Sequence, residues 1–135
     1  MTLFLTKEEV VSAHYFMMKK MNDVKQSGIK DHGLLESAVH RPQQNIFGED
    51  AYATIFDKAA ALLESLVKNH CIHNGNKRTA YLVSKSFLIL NGYHLRMERE
   101  YAVEFVVDIA VGVHSFEAIV HILKEHSVPV DSKRR

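Results

Sequence analysis

Within nine residues, His70-Cys71-Ile72-His73-Asn74-Gly75-Asn76-Lys77-Arg78, the chain places a histidine, a turn dipeptide and two adjacent cations. Asn74-Gly75 is a turn signal. The apolar-rich run from about Asn76 to Leu90 reads as a helix, so Lys77 and Arg78 fall in its first turn. That is the wrong end for cations. A helix start carries partial positive charge and four amides without intrahelical partners. Each cation there is unfavourable by about 0.3–1 kcal/mol. A bound anion reverses the sign: a phosphate accepts from the free amides, and Lys and Arg add opposite charge. Gly75 lets the backbone approach the ligand closely. Gly75, Asn76, Lys77 and Arg78 therefore describe a phosphate cradle. They describe equally well a solvated Asn-Gly turn followed by surface cations, and the spacing leaves both open.

His70 stands at the end of the preceding helix, six residues before Asn76. A lone histidine is more often structural than catalytic. Beside a phosphate, however, a neutral imidazole can take the proton of an attacking hydroxyl. The C-terminus of its own helix favours the cation, whereas the following helix start favours the neutral form. His70 and His73 without a third ligand make a poor zinc site.

Helices must position this stretch. Thr6 to Glu9 is a capping box, followed by an apolar face of Val10, Val11, His14, Tyr15 and Met18. Asn22 to Lys30 reads as a loop. Asp31 caps a second helix with Leu34, Leu35 and Ala38 inward, ending near Pro42. Residues 41–54 carry loop chemistry at Pro42, Asn45, Gly48 and Asp50. From about Thr54 a long helix shows a stripe of Ile55, Ala59, Leu62 and Leu66, widened by Phe56, Leu63 and Val67. The helix from Asn76 is apolar almost all round (Ala80, Leu82, Val83, Phe87, Leu88, Ile89, Leu90), which predicts the central, buried one, stopped by Asn91-Gly92. A fifth helix spans about Arg99 to Val113, with Val103, Val106, Ala110 and Val113 inward. Ser115 caps the last, which carries Ile119, Ile122 and Leu123. The expected fold is all-α: a bundle of about six helices with no large sheet.

At 135 residues the chain forms one domain, 1–135, with a solvated tail over 130–135. Apolar residues at 47% and charged residues at 24% exclude disordered and low-complexity classes. Seventeen basic against sixteen acidic residues do not argue for nucleic acid. No apolar run is long enough to span a membrane, and no secretory signal is readable. The lone Cys71 cannot form an internal bridge. A cytoplasmic protein is the expectation.

The motif closely resembles the signature of the Fic/Doc superfamily on its death-on-curing side, His-x-Phe-x-Asp/Asn-Gly/Ala-Asn-Lys-Arg. Gly33 to Ala38, Arg41-Pro42-Gln43, Phe47-Gly48 and Phe87 to Gly92 also look like the family, so the resemblance covers roughly residues 4–125. It implies a small helical bundle with the motif loop at its centre and a short flap over 41–54 that docks the target. It implies His70 as general base, and Gly75, Asn76, Lys77 and Arg78 as the nucleotide-phosphate site. Strict Fic enzymes carry Gly where this chain has Lys77 and a second Arg where it has Tyr81; they transfer AMP. The Lys form is that of death-on-curing toxins, which bind the nucleotide reversed and transfer its terminal phosphate to a threonine of elongation factor Tu. The resemblance thus implies an ATP-dependent protein kinase that halts translation, the toxin of a type II toxin–antitoxin pair. Adenylylation and a Fic-fold binding module without turnover are the alternatives. Ile72 replaces the family's Phe. Asn74 stands where an acidic residue often ligates magnesium, and an amide oxygen is a weaker ligand for that hard cation. No Ser or Thr lies four residues before any Glu. The inhibitory helix of Fic enzymes therefore has no match, and the implied inhibitor is a separate antitoxin whose disordered tail folds on the toxin.

Overall fold

The first helix begins where Thr6 meets Glu9. The Thr6 hydroxyl accepts from the Glu9 amide at 3.1 Å, and the Glu9 carboxylate accepts from the Thr6 amide at 2.9 Å. This reciprocal cap satisfies two orphan donors of α1 (Lys7–Lys20). The computed structural model describes residues 1–20, 28–69 and 76–130. Val10, His14 and Met18 are buried on one face of α1, while Tyr15, expected inside, is exposed. Asp31 caps α2 (His32–His40), accepting from Leu34 N at 3.0 Å. Leu35 and Ala38 are buried and Leu34 is exposed. A single 3₁₀ turn, Arg41–Gln43, follows Pro-first.

The segment expected as loop and flap contains a small hairpin, β1 (Asn45–Ile46) against β2 (Glu49–Asp50), antiparallel with Ile46 opposite Glu49. Its two turn residues, Phe47 at φ 51° and Gly48 at φ 85°, both adopt the left-handed conformation. Primed hairpin turns require this because their twist matches that of the strands. Glycine takes it freely, whereas a phenylalanine there is strained.

Thr54 then opens α3 (Ile55–Lys68) with a second capping box, in which Thr54 and Asp57 each accept from the other's amide at 3.0 Å. The expected stripe is present, and it is wider than the periodicity suggests: every residue from Lys58 to Leu63 is buried. The innermost helix is therefore α3, not α4. Ala59-Ala60-Ala61 present almost no side-chain bulk, so α2, α4, α5 and α6 all pack around α3. Helix α4 (Asn76–Leu90) lies along it, burying Ala80, Val83, Phe87 and Leu88. Ile89 and Leu90, expected inside, are exposed at the far end of α4. Gly92 at φ 95° supplies the left-handed stop. Asn91 fastens the chain start there, exchanging hydrogen bonds with the Leu3 amide and carbonyl, both at 2.8 Å.

A second two-stranded ribbon, absent from the sequence reading, pairs β3 (Tyr93–Leu95) with β4 (Ser127–Pro129). Between them run α5 (Arg99–Ala110) and α6 (Phe116–Glu125), the latter capped by Ser115 accepting from Ala118 N at 3.1 Å. On α6, Ile119 and Leu123 are buried. The face of α5 differs from expectation. Ala102, Phe105, Val106 and Ile109 point inward, while Val103 and Val113 are exposed. The fold is all-α, with six helices and two minimal ribbons among the described residues. The expected tail lies outside the described residues from 131 onward.

Candidate functional site

Helix α3 ends at Lys68 with Asn69 as its C-cap, the Asn69 amide donating to Ser65 O at 2.9 Å. Asn76 opens α4. His70, Cys71, Ile72, His73, Asn74 and Gly75 lie between these ends and outside the described residues. Lys77 and Arg78 occupy the first turn of α4, as the turn signal requires, and both are exposed. Neither forms a salt bridge among the described residues.

The next residue shows how that turn is held. Thr79 is fully buried, and its hydroxyl lies 2.7 Å from Nδ1 of His14, which is also fully buried on α1. A buried hydrogen bond in a low-dielectric interior fixes the roll of α4 about its axis. With Thr79 inward, Lys77 and Arg78 face out.

They face a cleft of about 580 Å³ between α4 and α5. Lys77, Arg78, Tyr81 and Lys85 line its α4 side. Met97, Arg99, Ala102, Val103, Val106 and Val107 form the other wall. Four cations and no carboxylate border this space, and Lys85 and Arg99 likewise have no salt bridge among the described residues. Burial pushes the Tyr81 phenol above its ordinary pKa, so it stays neutral and able to donate a proton in a hydrogen bond. Four like charges around an apolar floor repel one another weakly through water, and an anion between them turns repulsion into attraction.

The sequence model of the Fic/DOC family matches residues 4–88, more than half of the chain. The chain belongs to the Fic/Doc family. A curated relative, "Toxin Doc" of Mycolicibacterium smegmatis (strain ATCC 700084 / mc(2)155), is 43% identical over 110 residues, covering 82% of this chain and 76% of the relative.

In this Fic/Doc chain the motif residues that are described, Asn76, Lys77 and Arg78, come together at the start of one helix, as the signature places them. The sequence reading missed Lys85, Arg99, Met97 and the outward valines of α5. A signal for Lys85 exists: Lys77, Tyr81 and Lys85 recur every fourth residue, so they share one face of α4. Arg99 has no such signal, because it reaches the cleft from another element.

The hairpin beside the 3₁₀ turn is fastened by two cations. Arg41 donates from Nε to the Tyr52 hydroxyl at 2.8 Å, and from Nη1 to Glu64 Oε1 at 2.9 Å and Ser65 Oγ at 2.8 Å. Its guanidinium also lies over the Tyr52 and Phe116 rings, at 5.3 and 5.5 Å. Burial acts to lower its pKa, but the hydrogen bonds and charges of Tyr52 and Glu64 outweigh it, and the net shift is upward. Lys58 donates to Asp50 Oδ2 at 3.2 Å, to Ala53 O at 3.3 Å and to Tyr52 O. Beyond these clamps Phe47 projects into solvent.

No helix among the described residues is long and apolar enough to cross a membrane. No group of three or more His, Cys, Asp or Glu residues that could hold a metal occurs among them.

Proposed function

We propose that this chain is the toxin of a type II toxin–antitoxin pair and acts as a protein kinase. It transfers the γ-phosphate of ATP to a threonine hydroxyl of a translation factor of the elongation factor Tu type, and a separate antitoxin restrains it. The observation that carries this reading is the first turn of α4. Lys77 and Arg78 stand there with no salt bridge among the described residues, at the mouth of a cleft large enough for a nucleotide. The "Toxin Doc" relative supports the toxin role.

The chemistry is positioning and charge neutralisation. His70 removes the proton of the target hydroxyl, and the oxygen attacks the γ-phosphorus as the bond to the β-phosphate oxygen breaks. ADP leaves, and the phosphothreonine ester remains. The opening amides of α4, with Lys77 and Arg78, hold the charge that builds on the phosphoryl oxygens. Among the described residues the cleft is lined by cations and no carboxylate, which does not fit a protein-held magnesium. Magnesium would arrive on the nucleotide's own phosphates, with the Asn74 amide as the motif's candidate ligand.

What supports phosphoryl over AMP transfer is Lys77, the residue of the death-on-curing form of the motif, where strict Fic enzymes carry Gly. The test is a transfer assay with target and ATP labelled at the γ-phosphate or in the adenine. Label arriving from the γ-position supports the kinase, retained adenine would show AMP transfer, and neither would leave a binding module. Arg78→Ala is expected to weaken ATP binding about tenfold to a hundredfold, the range of a lost charge-assisted contact. Calorimetric titration measures it, and unchanged affinity would remove Arg78 from the cradle.

A further inference from the structure

The cleft has two ends. Lys77 and Arg78 mark one. Lys85 lies eight residues further along α4, roughly 12 Å down the axis at 1.5 Å per residue. Arg99 opens α5, reached from the end of α4 through the short β3 segment, and it borders the same space. Between the two pairs of cations the floor is apolar, with Val103, Val106 and Val107 of α5 beside Met97. Val103 and Val107 are exposed, though Phe105 and Ile109 on the same helix are buried. The far cations have no salt bridge among the described residues. Neither belongs to the Fic/Doc motif.

Resting on the nucleotide reading above, we propose that Lys85 and Arg99 bind the nucleoside half of the nucleotide, with the base laid on the α5 valines beneath the Arg99 guanidinium. Three observations converge on this occupant. The cleft volume of about 580 Å³ falls within the roughly 300–1,000 Å³ of small-molecule sites. A triphosphate seated on Lys77 and Arg78 occupies one end of the cleft, and a ribose and base fill the remaining length along α4. An apolar strip edged by a planar cation suits an aromatic ring, which buries its faces and attracts a guanidinium to its π system. Lys85, with three donors and no acceptor, meets ribose hydroxyls or ring nitrogens. Its role is to place the nucleoside, so that the phosphate chain runs back toward the start of α4.

The test compares binding of ATP and of inorganic tripolyphosphate to the wild type and to the K85Q/R99Q double variant, by calorimetry at physiological salt. Both side chains are on the surface of the cleft, so the variant should fold. ATP affinity is expected to drop by at least about tenfold, the size of a desolvated cation–π contact. Tripolyphosphate affinity should stay within about twofold, because its charge is met by Lys77, Arg78 and the opening amides of α4, and the field of the far cations is screened by salt. Equal losses for both ligands would mean a general field and would overturn the proposal. So would unchanged ATP affinity, which would leave the far end to an acidic protein segment while the phosphate cradle stands. If the wild type binds neither ligand, the cradle itself is wrong and this inference falls with it.

Discussion

His70→Ala should cut phosphoryl transfer by roughly a hundredfold to ten-thousandfold, the contribution of a positioned general base, without unfolding the protein. A threonine hydroxyl is a poor nucleophile near neutral pH, and among the described residues the titratable side chains that line the cleft are Lys77, Arg78, Tyr81, Lys85 and Arg99, with no carboxylate or imidazole. Lysine and arginine side chains offer donors and no acceptor. The phenol is held neutral by its burial and offers a proton where one must be removed. The step therefore depends on the motif imidazole. Single-turnover transfer of the γ-label, beside circular dichroism and ATP titration, checks it. Full activity in the alanine variant would refute the general-base role. Lost ATP binding with the fold retained would show that His70 belongs to the ligand site instead.

Local signals explain why one end of the cleft could be anticipated from the sequence and the other could not. The start of α4, with Lys77 and Arg78 in its first turn, is encoded by consecutive residues. Capping boxes are equally local, and Thr6, Asp31 and Ser115 cap where their side chains suggest. The far end of the cleft is assembled from α4 and α5, and nothing within either helix announces the other. Helix α5 shows the difficulty in one element. Ala102, Val103, Phe105, Val106, Val107 and Ile109 are apolar on two faces, so a 3.6-residue period fits more than one phase. Val103, expected in the core, is exposed on the cleft wall, whereas Val106 is buried as expected. The misplaced centre has a similar cause. The apolar side chains of α4 are spread around the helix, which suggests burial on every side, but the alanines of α3 admit neighbours closely, and close approach on every side is what buries a helix. The β3–β4 ribbon joins residues on either side of α5 and α6, beyond the reach of any local pattern.

Lys58→Met is expected to destabilise the protein by about 2–3 kcal/mol and to release the 45–50 hairpin while leaving ATP affinity unchanged. The Lys58 side chain is only 4% exposed, yet it carries a charge in the first turns of α3, where the helix dipole opposes it. Three oxygens offset that cost: one of Asp50, and the carbonyls of Tyr52 and Ala53. An ammonium has three donors and no acceptor, so the set is complete. Methionine retains most of the apolar stem and its packing, so the change isolates the polar clamp. Asp50, 64% exposed, is rehydrated when the clamp goes. The two carbonyls lose a charged donor, at about 1–1.5 kcal/mol each. Urea unfolding reads the stability, and limited proteolysis over 44–53 reads the hairpin. Arg41 still holds Tyr52 by its hydroxyl and ring, so cleavage should begin before Tyr52, on the strands. If the hairpin docks the target, KM for the target rises while KM for ATP does not. Lost stability with unchanged proteolysis and unchanged target KM would make Lys58 a buttress of α3 alone, and unchanged stability would deny the clamp.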